Sequence, residues 1–164
     1  MFGLPLHPLI VHFPIVLTAL LPVFTIVAFY FIRKGAAVRR AWLVPLVASA
    51  ALFTAAWVTK ITGQQQEDRV EKAVPRAAFH EHEEAGEMLW MVSGALLVIT
   101  AAGMAHGGIG KAARVVSVAG SIVLIGAAIK VGHTGGVLVY KYDAARVYSA
   151  PDSSPPATPR YGDH

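Results

Sequence analysis

The chain has 164 residues, of which 55% are hydrophobic and 15% are charged, and it contains no cysteine. A soluble domain carries about 25% charged residues, so this excess of apolar residues predicts a protein that is solvated by a lipid bilayer. The lack of cysteine excludes disulfides, thiolate-bound zinc, iron–sulfur clusters and covalently attached c-type haem. The net charge of +4 does not predict nucleic-acid binding, because the cations are sorted between connecting segments and do not follow one surface.

Four apolar segments follow one another along the chain, each close to the roughly 20 residues that cross a bilayer as a helix. They predict helices at about residues 8–32, 41–62, 80–105 and 112–132. Residues 1–148 are therefore expected to form one all-α domain, a four-helix transmembrane bundle. Residues 149–164 are polar and rich in proline, which predicts a disordered tail.

The charges of the connecting segments predict the orientation of the bundle, since lysine and arginine collect on the cytoplasmic side of a membrane. The first and third connections contain bases and no acid, whereas all 10 acids lie in the second connection, in the first turns of the third predicted helix and in the C-terminal segment. Both termini are therefore expected on the periplasmic side of a bacterial inner membrane. The N-terminal segment lacks the basic region and the cleavage site of a signal peptide, so the first helix is expected to be retained.

Histidines are concentrated at the predicted outer ends of the helices. His7 and His12 open the first helix, His82 lies near the start of the third, and His133 closes the fourth. His12 is flanked by apolar residues and is expected to be the deeper of the first two, and an ionisable side chain at such a depth predicts a functional site. Gly86, one turn deeper than His82, would leave room for a flat group beside that ring.

Imidazoles that converge from three helices predict a ligand site formed by His12, His82 and His133, with His7 as a further candidate. Two neutral imidazoles suit a b-type haem, which needs no cysteine, and Lys130 would pair with a haem propionate. Three imidazoles suit Cu(II) or Zn equally well. The inner end of the bundle lacks a second histidine pair, so we predict a single haem near the outer face that exchanges electrons with a quinol or a periplasmic electron carrier.

Two strings of the sequence resemble those of a known family. The opening LHPLIVHFPI at residues 6–15 and the closing GHTGGVLVY at residues 132–140, with Thr62-Gly63 and His82-Glu83 between them, are similar to the bacterial four-helix membrane proteins called domain of unknown function 2231. The resemblance covers residues 1–148. Relatives that are fused to cytochrome c-like domains imply redox surroundings, and the histidines of the family fall on His7, His12, His82 and His133.

These observations predict an integral membrane protein that binds a cofactor through histidine, and a b-type haem electron-transfer subunit is the first hypothesis. The second is a membrane protein that binds or handles a divalent metal, Cu or Zn. The third is a non-catalytic structural subunit of a larger respiratory or photosynthetic complex. The expected partners are the lipid bilayer, other subunits of such a complex and a periplasmic carrier. No independent catalytic activity is expected, because the sequence has no serine–histidine–aspartate spacing and no phosphate-binding loop.

Overall fold

The computed structural model describes residues 6–149, and within that range the chain is a bundle of four long helices without any strand. Their bounds, as four spans, are His7–Arg33, Val38–Gln64, Arg76–Ala102 and Gly107–Lys141. Each span is long and apolar enough to cross a membrane, which confirms the predicted all-α transmembrane bundle. Short helices lie at Glu67–Val70 and Arg146–Ser149. The predicted disordered tail falls, except for Ser149, outside the described residues.

The third span is displaced toward the N-terminus from its predicted range, and the fourth span is longer than the sequence predicts. The third begins at Arg76, directly after Pro75, because the missing N–H of proline costs nothing at the start of a helix. The fourth begins at Gly107 and not near residue 112, so a glycine-rich stretch whose sequence is typical of a loop forms its first turn. It also continues past His133 into a π-helical turn, Val137–Lys141. The glycines near His133 do not end the helix, and one of them, Gly135, lies against the ring of His82.

The packing order of the spans determines which side chains meet inside the bundle. The first and the third span each pack against the second and the fourth, so the first and third lie diagonally across the bundle. The centre is filled by five buried leucines, Leu21, Leu52, Leu89, Leu96 and Leu124.

Buried hydroxyl groups connect the spans next to this leucine core. The hydroxyl oxygens of Thr25 and Ser121 are 3.2 Å apart. The hydroxyl oxygen of Thr100 lies 3.3 Å from that of Ser117 and accepts a hydrogen bond from Ser49 at 3.4 Å. Small hydroxyl side chains let membrane helices approach closely and bond to one another, so these contacts join all four spans.

Arg114 closes one end of the bundle. Its side chain is buried, and its guanidinium donates to the carbonyl oxygens of Gly103 and Ala105, which follow the last turn of the third span. Trp42 donates its indole N–H to the carbonyl of Thr100 at 2.8 Å. Arg114 thereby satisfies carbonyl groups that lie beyond the helix end, and Trp42 is a second donor to the carbonyl of Thr100, which also accepts from the backbone N–H of Gly103. We call this end of the bundle the arginine end, and the end with His7 and His82 the histidine end.

The histidine end has a small apolar cluster of its own. Val74 from the second connection packs with Leu138 at the end of the fourth span and with Ala144 from the C-terminal segment, and all three are buried. The hydroxyl of Tyr148 donates to Oε1 of Gln66 at 3.1 Å. The second connection and the C-terminal segment are thereby joined to each other beside the ends of the spans.

Candidate functional site

His7 and His82 meet at the histidine end. Their ring centroids are 6.3 Å apart and their ring planes are inclined by 88°, an edge-to-face arrangement. Both side chains are half-buried. The two histidines belong to the first and third spans, which are diagonal, so the imidazoles approach each other across the bundle and not along a pair of neighbouring helices.

A backbone carbonyl orients the ring of His7. Nδ1 of His7 lies 3.0 Å from the carbonyl oxygen of Thr59 in the second span. A carbonyl oxygen can only accept, so Nδ1 carries the proton and Nε2 of the neutral ring keeps its lone pair. Gly63 lies against the same ring, since a Cβ at that position would be 3.2 Å from Cε1 of His7. The second span thus both orients the first imidazole and makes space for it.

Thr134 and Gly135 of the fourth span hold His82 in a similar way. Nδ1 of His82 lies 3.0 Å from Oγ1 of Thr134. This hydroxyl donates to the carbonyl oxygens of Lys130 and Val131, each at 3.1 Å, so it accepts from the imidazole. Nδ1 of His82 is therefore also the protonated nitrogen, and Nε2 has a free lone pair. A Cβ at Gly135 would be 3.0 Å from Cε1 of His82.

The site therefore presents two imidazoles whose Nε2 atoms are available to a ligand. Metal-binding histidines are typically held by a hydrogen bond from the other ring nitrogen to an oxygen. The ring centroids are 6.3 Å apart, which is close enough for one metal ion to reach a nitrogen of each ring at about 2.0–2.1 Å once both Nε2 atoms turn toward it. Space is open one turn away, where a Cβ on Gly86 would meet no atom within 4 Å. The arrangement can bind a metal centre that takes two protein ligands.

An unsatisfied polar group lies next to this pair. The hydroxyl oxygen of Thr59 is buried and has no hydrogen-bond partner within residues 6–149. The carbonyl of the same residue accepts from His7. Burying a hydroxyl without a partner costs about 1–3 kcal/mol, so this atom favours a site that is completed by a further polar group.

The other predicted site residues lie apart from the pair. His12 lies five residues further along the first span than His7, so its greater depth in a membrane stays a prediction. Its side chain is exposed, with Nδ1 3.2 Å from the carbonyl oxygen of Leu9, and does not join the pair. The reason is rotation along the helix, since five residues turn a helix by about 140° beyond a full turn. His133 is also exposed, because its neighbour Thr134 faces His82. Lys130 is exposed in the turn before it.

Ligand binding by His12, His133 and Lys130 stays a prediction. Across the described range, 6–149, no three histidine, cysteine, aspartate or glutamate side chains are grouped so that they could hold a metal ion together. The geometry thus favours the histidine pair over the predicted set of three imidazoles.

Four residues of the site were missed by the sequence analysis, namely Thr59, Gly63, Thr134 and Gly135. Gly63, Thr134 and Gly135 lie in the strings that resemble the family, so the sequence marked these positions. It did not indicate that they contact the histidine rings. Thr59 acts on His7 through its backbone carbonyl, and every residue has a carbonyl. No side-chain pattern could therefore have indicated this role.

Comparison with known proteins gives one match. A family model described as "Predicted membrane protein (DUF2231)" matches residues 3–147. The matched range contains all four spans, both histidines of the pair and the residues that orient them. No curated protein and no solved structure matches the chain.

Proposed function

We propose that this chain, which belongs to the family of predicted membrane proteins called domain of unknown function 2231, is an electron-transfer protein in which His7 and His82 bind a single b-type haem. The observation that supports this proposal most strongly is the histidine pair itself. Two half-buried imidazoles from diagonal spans have ring centroids 6.3 Å apart, and each has Nδ1 engaged and an Nε2 without a hydrogen-bond partner among residues 6–149.

The number of available ligands favours a haem over a bare metal ion. Two imidazoles are sufficient protein ligands for a haem iron, whereas zinc takes three or four protein ligands. No atom lies within 4 Å of a Cβ built on Gly86, one turn from His82, and the buried hydroxyl of Thr59 has no partner within residues 6–149, so both positions could accommodate part of a haem. When bound, a haem would supply reversible one-electron transfer.

The residues around the pair would position the ligands. The carbonyl of Thr59 and the hydroxyl of Thr134 accept from Nδ1 of His7 and His82, and such bonds fix the tautomer and raise the basicity of the ligating nitrogen. Gly63 and Gly135 let the rings lie against the backbones of neighbouring spans. The protein would therefore hold both rings in place before any cofactor binds.

We also propose that the histidine end faces the periplasm. The second connection, which lies at this end, contains acids, whereas the arginine end carries bases and no acid, both around the first connection and in the first turns of the fourth span. Lysine and arginine in short loops collect on the cytoplasmic side. A haem at the histidine end would then exchange electrons with a quinol at the periplasmic surface of the inner membrane or with a periplasmic carrier.

The proposal is tested by the cofactor content of the full chain, purified in detergent from cells supplied with ample haem. We expect about one b-type haem per chain in the pyridine haemochromogen assay, since one histidine pair is available, with copper and zinc far below one per chain. Copper or zinc at one per chain without haem would support the metal-binding hypothesis instead. A colourless, metal-free chain that is recovered only within a larger complex would contradict both and favour a structural subunit.

Two neighbouring glycines provide a test of how the ring of His82 is held. Gly135→Ala would place a Cβ 3.0 Å from Cε1 of His82, whereas Gly136→Ala would meet nothing within 4 Å. Displacing a residue that orients a metal ligand costs about 10–100-fold in affinity. We expect Gly135→Ala to lower haem affinity at least about tenfold, measured by haem titration, and Gly136→Ala to leave it unchanged. Equal haem affinities for the two variants would show that haem binding does not depend on the position of the His82 ring.

A further inference from the structure

A positively charged side of the fourth span lies at the histidine end. Lys130, His133 and Lys141 are exposed there. Residues three or four positions apart lie on one side of a helix. His133 follows Lys130 by three positions, and Lys141 follows His133 by eight, which is twice four. In the part of the chain that the structure describes, none of the three forms a salt bridge with an acid. The two lysines, with the polar ring of His133 beside them, are therefore available to an anion from outside the chain.

Part of this surface is an open cleft. His133, Gly136, Val137, Tyr140 and Lys141 line a space of about 410 Å³. Lys141 stands at one end of the cleft and the His133 ring at the other, and apolar atoms dominate between them. The cleft therefore suits a ligand that combines an anionic group with an apolar part.

The position of the cleft along the fourth span indicates its depth in the membrane. The span has 35 residues and would be roughly 50 Å long at 1.5 Å per residue, which exceeds the ~30 Å hydrocarbon core. Its last turns therefore extend into the headgroup region. Tyr140 is 92% exposed in these turns, and tyrosine is enriched at the level of the lipid headgroups.

We propose that Lys130, His133 and Lys141 form a binding site for the phosphate headgroup of an anionic phospholipid, which the cleft at Val137 and Tyr140 accommodates. The cations provide charge complementarity, and long lysine side chains reach from apolar surface to the headgroups. This site does not depend on haem binding, because none of its side chains belongs to the histidine pair.

The test is native mass spectrometry of the full chain in detergent with added phosphatidylglycerol or phosphatidylcholine of the same acyl chains. The variants are Lys130→Gln, His133→Gln, Lys141→Gln and the double lysine variant. The matched control is Lys72→Gln, an exposed lysine in the second connection. All these side chains are exposed, so the variants should fold, and unchanged thermal unfolding by circular dichroism checks this.

We expect one phosphatidylglycerol molecule to be retained in preference to phosphatidylcholine. Each lysine removed should weaken binding about fivefold, and His133→Gln should weaken it less, while Lys72→Gln leaves it unchanged. Equal retention of the two lipids, or an equal loss in Lys72→Gln, would overturn the proposal. Inorganic phosphate is the remaining probe. If phosphate binding depends on the same lysines while phosphatidylglycerol is not retained, the ligand is a free anion. The lipid proposal is then wrong.

Discussion

His7→Ala and His82→Ala are each expected to abolish haem binding, whereas His12→Ala and His133→Ala should retain it. The first two substitutions remove one of the two proposed ligands, while the other two change exposed side chains outside the pair. Changing a residue that only orients a ligand costs about 10–100-fold in metal affinity, so losing the ligand itself should cost more than about 100-fold. The measurement is haem content per chain and haem titration of the purified variants.

Loss of the ligand must be separated from misfolding in this experiment. The His82→Ala variant should unfold thermally near the wild-type temperature, and imidazole added to the buffer should restore part of the haem spectrum by replacing the missing ring. Haem that is lost from His12→Ala or His133→Ala and kept in His7→Ala would contradict the pair. It would instead support the predicted site of His12, His82 and His133.

Gly110→Ala is expected to destabilise the fold strongly at the arginine end. A Cβ at this position would overlap the carbonyl oxygen of Ala105 and lie 3.2 Å from a guanidinium nitrogen of Arg114. The carbonyl cannot move away freely, because it accepts from the buried Arg114. Overpacking of this kind costs about 3 kcal/mol, which corresponds to a melting temperature roughly 10 °C lower for a domain of this size.

Gly108→Ala is the matched control for this prediction. It lies two residues earlier in the same helical turn, is exposed, and a Cβ there would meet nothing within 4 Å. Replacing a helical glycine by alanine without strain stabilises a protein by about 0.4–1 kcal/mol. Thermal unfolding in detergent, followed by circular dichroism, should therefore give a slightly higher melting temperature for Gly108→Ala. Similar temperatures for the two variants would contradict the packing at the arginine end.

The number and order of the spans could be predicted because the hydrophobic length of a membrane helix is a property of the sequence alone. Their ends could not be predicted equally well, since the role of glycine depends on its neighbours. Gly135 looks like a helix stop, yet it lies within a helix and against the ring of His82. Gly110 looks like part of a loop, yet it packs in the first turn of the fourth span.

The histidine pair was only partly predictable. Sequence order placed His7 and His82 at the same end of the bundle, but choosing between His7 and His12 requires the rotation of the first span. It also requires knowing that the first and third spans are diagonal, which periodicity does not determine. One residue turns a helix by 100°, and this step separates Thr134, which bonds to His82, from the exposed His133.

The most direct test of the two-histidine site is low-temperature electron paramagnetic resonance of the air-oxidised, haem-loaded protein. Two imidazole ligands produce a low-spin ferric haem, because both axial positions hold strong nitrogen donors. We predict a low-spin signal that accounts for nearly all of the bound iron. A high-spin signal in the wild-type protein would mean that the iron has at most one imidazole ligand, and it would contradict joint binding by His7 and His82.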